Sequence, residues 1–562
     1  MRAALIVCAL AGFAAADSKP IAGSWSGAID IPGQALAFTV TFDGTAAGLI
    51  DIPQQHATGV PIAKVDVTGT HVHFELVAAN AVFDGELAGD AITGTMAQAG
   101  MTFRFHLAKT AAIVRATYAV PTKPRRPLTA HVGRGLLGAW RGTVEHDEVR
   151  ATFADRAGLV VGTAAATSRC DPAAPIVETT LTFDRVHLEI AAPDGASYFD
   201  GTLAGDELTG TLFRGGTQTP LALHREPPAP PLPYREVEVA IPSTKGTTLA
   251  GTLTLPAATG TWPVVVLVTG SGPQDRDECV LGIRPFRQLA EALVKRQIAT
   301  LRYDDRGTAK STGDFKAATA ADFADDAEAA VAFLAARPET AAIGVLGHSE
   351  GGLIAPMVAA RNPRVGFIVL WAGPGLPLDE VIMKQTHDIG LAEGGTPDAV
   401  AREDRMAAVM WKAFRGAKDE AGFKRALIAG LATLPKAERE AITDVPAFVA
   451  AKTGELWTPW FRWYNNYDPR KTLAKVTVPV LAINGGMDKQ VDAKTNLAAI
   501  GKALAKNRDA KLVELPGLNH VFQQTKTGAV SEYTKNSPVL DPVVLETTAS
   551  WIEAHTRVKS AP

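Results

Sequence analysis

Two stretches of this chain repeat one another. Gly23-Ser24-Trp25-Ser26-Gly27 returns as Gly138-Ala139-Trp140-Arg141-Gly142, and Val72-His73-Phe74-Glu75-Leu76 returns as Val186-His187-Leu188-Glu189-Ile190. The longest match pairs the run from Phe83 to Asp90 with the run from Phe199 to Asp206. All three pairs lie about 115 residues apart, so residues 20–226 are two copies of one module. Within a copy the hydrophobic pattern has period two: Val72, Phe74 and Leu76 face one side, while His71, His73 and Glu75 face the other. Gly-Asp steps between paired runs are turn chemistry, and each copy, 20–110 and 130–226, is expected to be a small antiparallel all-β domain. His71 and His73 share a strand face. The second copy has Arg185 where His71 stands, so a solvated polar face is expected there rather than a metal site.

The Gly-x-Trp-x-Gly opening, followed by Pro53-Gln54-Gln55 and Gly59-Val60-Pro61-Ile62, resembles a module found ahead of hydrolase domains in exported bacterial proteins. The resemblance implies a β-barrel or sandwich without chemistry of its own. Export is also what the N-terminus suggests: Met1-Arg2, an apolar run from Ala3 to Phe13 and then Ala14-Ala15-Ala16 form the charge, core and small-residue site of a signal peptide over residues 1–16. An apolar first strand is the competing reading, but the strand pattern begins only at Gly23. Cys8 lies too early, and after Val7, to be a lipid-attachment cysteine. No later stretch reaches the roughly twenty apolar residues of a membrane helix, so a periplasmic or secreted chain without an integral membrane segment is expected. Lys+Arg 56 against Asp+Glu 59 leaves a net charge of −3, which offers no field for a nucleic-acid partner. With 3 cysteines, Cys8, Cys170 and Cys279, neither a disulfide scaffold nor a cysteine zinc site is expected.

A Pro-rich stretch, residues 227–234, then reads as a stiff linker, and beyond it the pattern changes. Val264-Val265-Val266-Leu267-Val268 is continuously apolar, as in a strand covered on both faces of a parallel sheet. Helical patterns at 286–296, 323–336 and 353–361 alternate with strand patterns at 299–303, 343–346, 367–371, 480–483 and 511–515, which predicts an α/β domain.

Gly347-His348-Ser349-Glu350-Gly351 is the only G-x-S-x-G in the chain, with a buried-type strand entering and an apolar-periodic helix leaving. That context makes it a nucleophile elbow, in which Ser349 is exposed on a tight strand-to-helix turn. A serine hydroxyl needs a general base, itself oriented by an acid, in the chain order Ser, Asp, His. Asp488 follows a strand and the turn Asn484-Gly485-Gly486, and His520 follows the next strand. Only His520 and His555 lie beyond Asp488, and His555 belongs to the terminal helix pattern. Nucleophile Ser349, acid Asp488 and base His520 is therefore the expected triad, with Asp492 the competitor for the acid. The oxyanion is expected to meet the amide of Glu350 at the helix start and that of Ser271 in the loop Thr269-Gly270-Ser271-Gly272-Pro273.

Residues 235–558 resemble the α/β-hydrolase fold, in its bacterial esterase and serine-aminopeptidase-like branch. The matching runs are Gly270 to Asp277, Arg302-Tyr303-Asp304-Asp305-Arg306-Gly307, Gly347 to Gly352, Asp488-Lys489-Gln490-Val491 and Leu518-Asn519-His520. Ala309 departs from the family, which usually shows a second Gly there. Arg306 reads as structural, paired with acidic neighbours, with substrate positioning the rival role. In this family the insertion at about 376–470 is a cap that sets substrate access. Its Trp457, Trp460, Phe461 and Trp463 either pack the cap onto the core or line an acyl or aromatic pocket.

The expected activity is hydrolysis of small-molecule or saccharide-linked carboxylic esters of short or aromatic acyl groups through an acyl-enzyme, with no metal and no cofactor. A peptidase using the same triad is the alternative, and a non-catalytic binding protein built on the β-modules is a third. Serine rather than aspartate in the elbow excludes a dehalogenase. Because the linker separates two sequence patterns, residues 235–562 are expected to fold and act on small esters by themselves.

Overall fold

The computed structural model describes residues 19–556 apart from 32–33, 43, 45–46, 53–56, 111–127, 145–146, 167–169, 171–172, 193–194, 215–216 and 229–230. The expected signal peptide, Cys8, the run Pro53-Gln54-Gln55 and part of the Pro-rich linker lie outside the described residues.

Each repeat is a closed antiparallel barrel of eight strands. The first runs from Gly23–Ile31 to Met101–Lys109 and closes by pairing these two strands, Trp25 opposite Lys109. The second runs from Gly138–Val144 to Thr217–Arg225, closing with Gly142 opposite Leu223. The repeated Gly-x-Trp-x-Gly is a closure device. Trp25 and Trp140 are fully buried, and each indole N–H donates to the carbonyl four residues earlier, Ile21 and Leu136, at 2.7 Å. A Cβ on Gly27 would meet the Leu107 Cα at 2.9 Å, and one on Gly142 the Leu223 Cδ2 at 2.9 Å, so the closing strand approaches only over glycine. Side chains fill the interiors: in the first barrel Phe74 stacks on Phe83 at 4.5 Å beside Phe38, Phe42 and Phe105. On the polar faces His73 and His187 each reach an aspartate, Asp84 and Asp200, through Nδ1 at 2.7 Å. Among the described residues no group of His, Cys, Asp and Glu is arranged to hold a metal ion.

The rest of the chain carries one eight-stranded sheet, with strands β1 (Tyr234–Pro242), β2 (Thr248–Pro256), β3 (Trp262–Val268), β4 (Ala299–Tyr303), β5 (Thr340–His348), β6 (Val365–Trp371), β7 (Val480–Gly485) and β8 (Ala510–Leu515). Their spatial order is β1-β2-β4-β3-β5-β6-β7-β8, antiparallel through β1, β2 and β4 and parallel from there on. This is the expected α/β-hydrolase sheet. The continuous apolar run of β3 follows from cover on both faces. Val264, Val266 and Val268 join one core with Ala324, Ala327 and Val331 of α2 (Ala320–Ala335), whereas Val265 and Leu267 join another with Leu289 and Leu293 of α1 (Pro285–Val294). Helix α3 (Glu350–Ala359) leaves the elbow. The cap lies between β6 and β7 as α4 (Leu378–Ala392), α5 (Pro397–Gly416), α6 (Glu420–Leu431), α7 (Lys436–Glu440), α8 (Val445–Leu456), α9 (Pro459–Tyr464) and α10 (Pro469–Leu473). Helices α11 (Ala493–Ala503) and α12 (Pro542–Thr556) complete the domain.

Two findings differ from the sequence expectation. Cys170 of the second barrel and Cys279 of the hydrolase domain form a disulfide, with Cα atoms 5.4 Å apart and a sequence separation of 109. The cysteine count correctly argues against a disulfide-built scaffold, but it carries no information on a single bond between domains. The barrels are also not merely strung on a linker. The Gly100 turn of the first barrel docks on the cap: Asp444 N–H donates to the Gly100 carbonyl at 3.1 Å, Thr102 and Thr443 hydroxyls meet at 2.7 Å, and Met101 packs on the cap's apolar core.

Candidate active site

Ser349 sits at the C-terminal end of β5, the end where ligands meet parallel sheets. Its φ of 52° and ψ of −117° are strained for a side-chain-bearing residue, a conformation that costs of order 1–3 kcal/mol. The surroundings enforce it. Ser349 N–H donates to the Trp371 carbonyl at 2.8 Å and its own carbonyl accepts from Gly352 N–H at 2.9 Å. A Cβ on Gly347 would collide with the Gly351 carbonyl, and one on Gly351 with that of Val268. The motif glycines are thus the places where the turn, the helix and β3 touch.

Asp488 and His520 come together from the loops after β7 and β8. His520 Nδ1 and Asp488 Oδ2 are 2.7 Å apart, with the residues 5% and 3% exposed. The other carboxylate oxygen, Oδ1, accepts from Gln490 N–H at 2.7 Å and Val491 N–H at 2.8 Å, which fixes Asp488 as an orienting acceptor. With Nδ1 engaged, Nε2 is the nitrogen left for proton transfer. Asn519, fully buried, shapes the turn by accepting from Val521 and Gln523 amides at 3.1 and 2.9 Å. The competitors are occupied elsewhere. Asp492 caps α11 by accepting from Thr495 N–H, and His555 stacks on Trp551 within α12.

As the first residue of α3, Glu350 presents an amide with no carbonyl to reach inside its own helix. Ser271 is exposed in the loop after β3, one residue beyond Gly270. That loop lies against Ser349, since a Cβ on Gly270 would stand 3.1 Å from the Ser349 Cβ. A cleft between this loop and α3 is bordered by Thr269, Gly270, Asp305 and Glu350.

The four cap aromatics have packing partners. Trp457 stacks on Phe423 at 5.5 Å, Phe461 packs on Trp411 at 6.0 Å, and Trp463 stacks on Tyr467 at 4.6 Å. Trp460 donates its indole N–H to Glu350 Oε1 at 2.7 Å, the oxygen that also accepts from the Tyr464 hydroxyl at 2.7 Å. None of the four borders the cleft beside Gly270. Their contacts are those of cap packing and of a clasp on Glu350.

Sequence reasoning missed the side-chain role of Glu350. Burial pushes its carboxyl up to about 7, against the hydrogen bonds from Tyr464 and Trp460. Asp305 is likewise pushed well above the usual range by burial, despite accepting from Thr269 and Gln274. It missed Glu278 as well, a residue 1% exposed whose Oε1 accepts from Gly270 N–H at 2.6 Å and lies 2.9 Å from His348 Nδ1. The acidic run Asp275 to Glu278 is a signal only in hindsight, because nothing local marks which carboxylate turns inward. Arg306 is structural as expected, holding Asp326 through two bonds of 2.7 Å with both residues buried. Ala309 has a φ of 47°, the left-handed conformation that glycine adopts without steric cost.

A family model described as serine aminopeptidase, S33, matches residues 283–419, which include Ser349 and stop before Asp488. Esterase EstD of Thermotoga maritima is 27% identical over 351 residues, 62% of this chain and 74% of that protein. Among solved structures, the Pyrococcus furiosus esterase PF2001 is similar at 16% identity over 57% of this chain and 90% of its own, with a TM-score of 0.34. Est1E of Butyrivibrio proteoclasticus, with ferulic acid bound, is similar at 18% identity over 56% of this chain and 98% of its own, with a TM-score of 0.35.

Proposed function

We propose that this chain, an α/β hydrolase of the branch that includes esterases and serine aminopeptidases, cleaves carboxylic esters through an acyl-enzyme on Ser349. The observation that carries the reading is the buried His520–Asp488 bond of 2.7 Å, in a loop whose His520 carbonyl lies 3.0 Å from Nε2 of His348, the residue before the strained Ser349. Ser349 Oγ attacks the ester carbonyl while His520 Nε2 takes its proton. Asp488 keeps the imidazole in the tautomer that leaves Nε2 free to accept, and stabilises the imidazolium. The amides of Glu350 and Ser271 meet the oxyanion, each such donor being worth about 2.7–4 kcal/mol of barrier. His520 then protonates the leaving alcohol, and water repeats the sequence to release the acid.

The alcohol and acyl parts belong to a small-molecule or saccharide-linked ester with a short or aromatic acyl group. Export to the periplasm or medium is supported by the N-terminal sequence and by the Cys170–Cys279 pairing, which suits an oxidising compartment. Aminopeptidase action is the second reading, favoured by the family model over residues 283–419. A series of p-nitrophenyl esters of increasing acyl length, run beside aminoacyl anilides, tests the two. The expected result is kcat/KM that rises and then falls along the esters and stays far lower on anilides. Fast amine release with little ester turnover establishes the peptidase.

A further inference from the structure

The hydrolytic steps leave one buried titratable pair unused, Glu278 with His348, and its contacts reach all three segments that must be aligned. Glu278 lies eight positions after Gly270, at a φ of 53°. Its loop is folded back by Glu278 N–H donating to the Asp275 carbonyl at 2.9 Å and by Asp275 Oδ1 accepting from the Asp277 and Cys279 amides at 3.0 and 3.1 Å. The carboxylate is thereby delivered between the Gly270 amide and His348 Nδ1, while His348 Nε2 lies 3.0 Å from the carbonyl oxygen of His520. The oxyanion-side loop, the residue before the nucleophile and the backbone of the base thus hang on one side-chain chain.

We propose that Glu278 and His348 are positioning residues, a carboxylate–imidazolium pair that sets the oxyanion-side loop and the base loop in register about Ser349. The inference rests on the serine-hydrolase reading above. Both nitrogens of His348 face acceptors, a carboxylate and a carbonyl oxygen, and a neutral imidazole can donate from only one of them. Facing an ionised Glu278, both bonds form only if the ring is doubly protonated. Burial alone would drive that proton off, and the Glu278 charge outweighs it, so His348 is held above its ordinary value. The groups facing the ring are Glu278, the Asp488 carboxylate, the His520 ring at 4.9 Å and the apolar Phe522 at 6.2 Å. Stability alone does not account for the pair. Glu278 Oε2 is buried without a hydrogen-bond partner among the described residues, and buried ion pairs are poor stabilisers compared with apolar packing. Cys279, next in the chain, carries the disulfide to Cys170, so the second barrel anchors the segment that bears the carboxylate.

The test is histidine side-chain NMR on the full-length protein with 15N-labelled imidazoles, His348 being assigned by its loss in His348→Gln, together with kinetics of Glu278→Gln. Wild type is expected to keep both His348 nitrogens protonated at a pH where a solvent-exposed imidazole has lost one of its two protons. In Glu278→Gln one nitrogen loses its proton, and kcat falls about 10- to 100-fold with KM within threefold, because alignment of the oxyanion amides and the base is felt in the transition state. Glu278→Asp, which keeps the charge at a shorter reach, is expected to recover the double protonation and part of kcat. A neutral, singly protonated His348 in wild type at pH 7 overturns the proposal, and so does a Glu278→Gln enzyme with kcat within twofold of wild type. The wild-type spectrum decides even if the variant does not fold. Absence of ester turnover in wild type strikes instead at the function, and the two failures are read on different instruments.

Discussion

The disulfide between Cys170 and Cys279 is the bond whose removal tells most about how this chain is built. Replacing both cysteines by serine releases a closed loop of 109 residues in the unfolded chain. Chain entropy puts the loss at about 4.8 kcal/mol for a loop of that length. Set against total stabilities of about 5–15 kcal/mol for a domain, this is a large fraction. The bond also ends beside Glu278, so its loss frees the backbone that delivers this carboxylate to Gly270 and His348. The double variant is therefore expected to lose about 3–5 kcal/mol in urea unfolding followed by tryptophan fluorescence, and to lose kcat in the same direction as Glu278→Gln. The barrels and the hydrolase domain need not melt together, and each transition has to be fitted separately. Non-reducing digestion and mass spectrometry of the wild type should recover one linked pair of peptides carrying residues 170 and 279. Unlinked peptides from oxidised protein, or an unchanged unfolding midpoint in the double variant, would refute the reasoning.

Other expectations follow from the same geometry. A fluorophosphonate probe should label Ser349 and no other serine; Ser349→Ala should abolish labelling, and Asp488→Asn should lower kcat by about 10⁴-fold by presenting the wrong imidazole tautomer. The Glu350 carboxyl binds its proton more tightly folded, at about 7 against an ordinary 4.5, so this contribution is present below pH 4.5 and is lost as pH rises to 7. The loss amounts to about 3 kcal/mol, and urea titrations between pH 4.5 and 8 should show Glu350→Gln flattening this slope. Ala309→Gly should raise stability by about 0.5–1 kcal/mol by relieving the positive φ, as read from the urea midpoint. Residues 235–562 alone should be less stable and slower on small esters than the full chain. They lose the disulfide and uncover the cap surface at Asp444 and Phe448, and full activity in this fragment would mean that the docked barrels are dispensable.

What the sequence determined by itself is whatever is written in local pattern. The two antiparallel all-β modules follow from a repeated period-two alternation, whereas their closure into barrels and the burial of Trp25 and Trp140 at the closing strands are read from the structure. The α/β sheet follows from the continuous apolar run of β3, which is covered on both faces, and from the alternation of strand and helix patterns after it. Ser349, Asp488 and His520 could be named as candidates because each follows a strand at a turn whose glycines or Asn have steric or hydrogen-bonding reasons to be there. Tertiary structure alone decided the pairings between distant segments. Cys279 with Cys170, Glu278 with His348, Glu350 with Trp460 and Tyr464, and the Gly100 turn with Asp444 each join chain lengths that share no periodicity. Which buried carboxylate meets which donor is settled by desolvation, since a charge taken from water must find partners among whatever groups packing has brought within about 3 Å. That neighbourhood exists only once the sheet, the cap and both barrels have closed on one another.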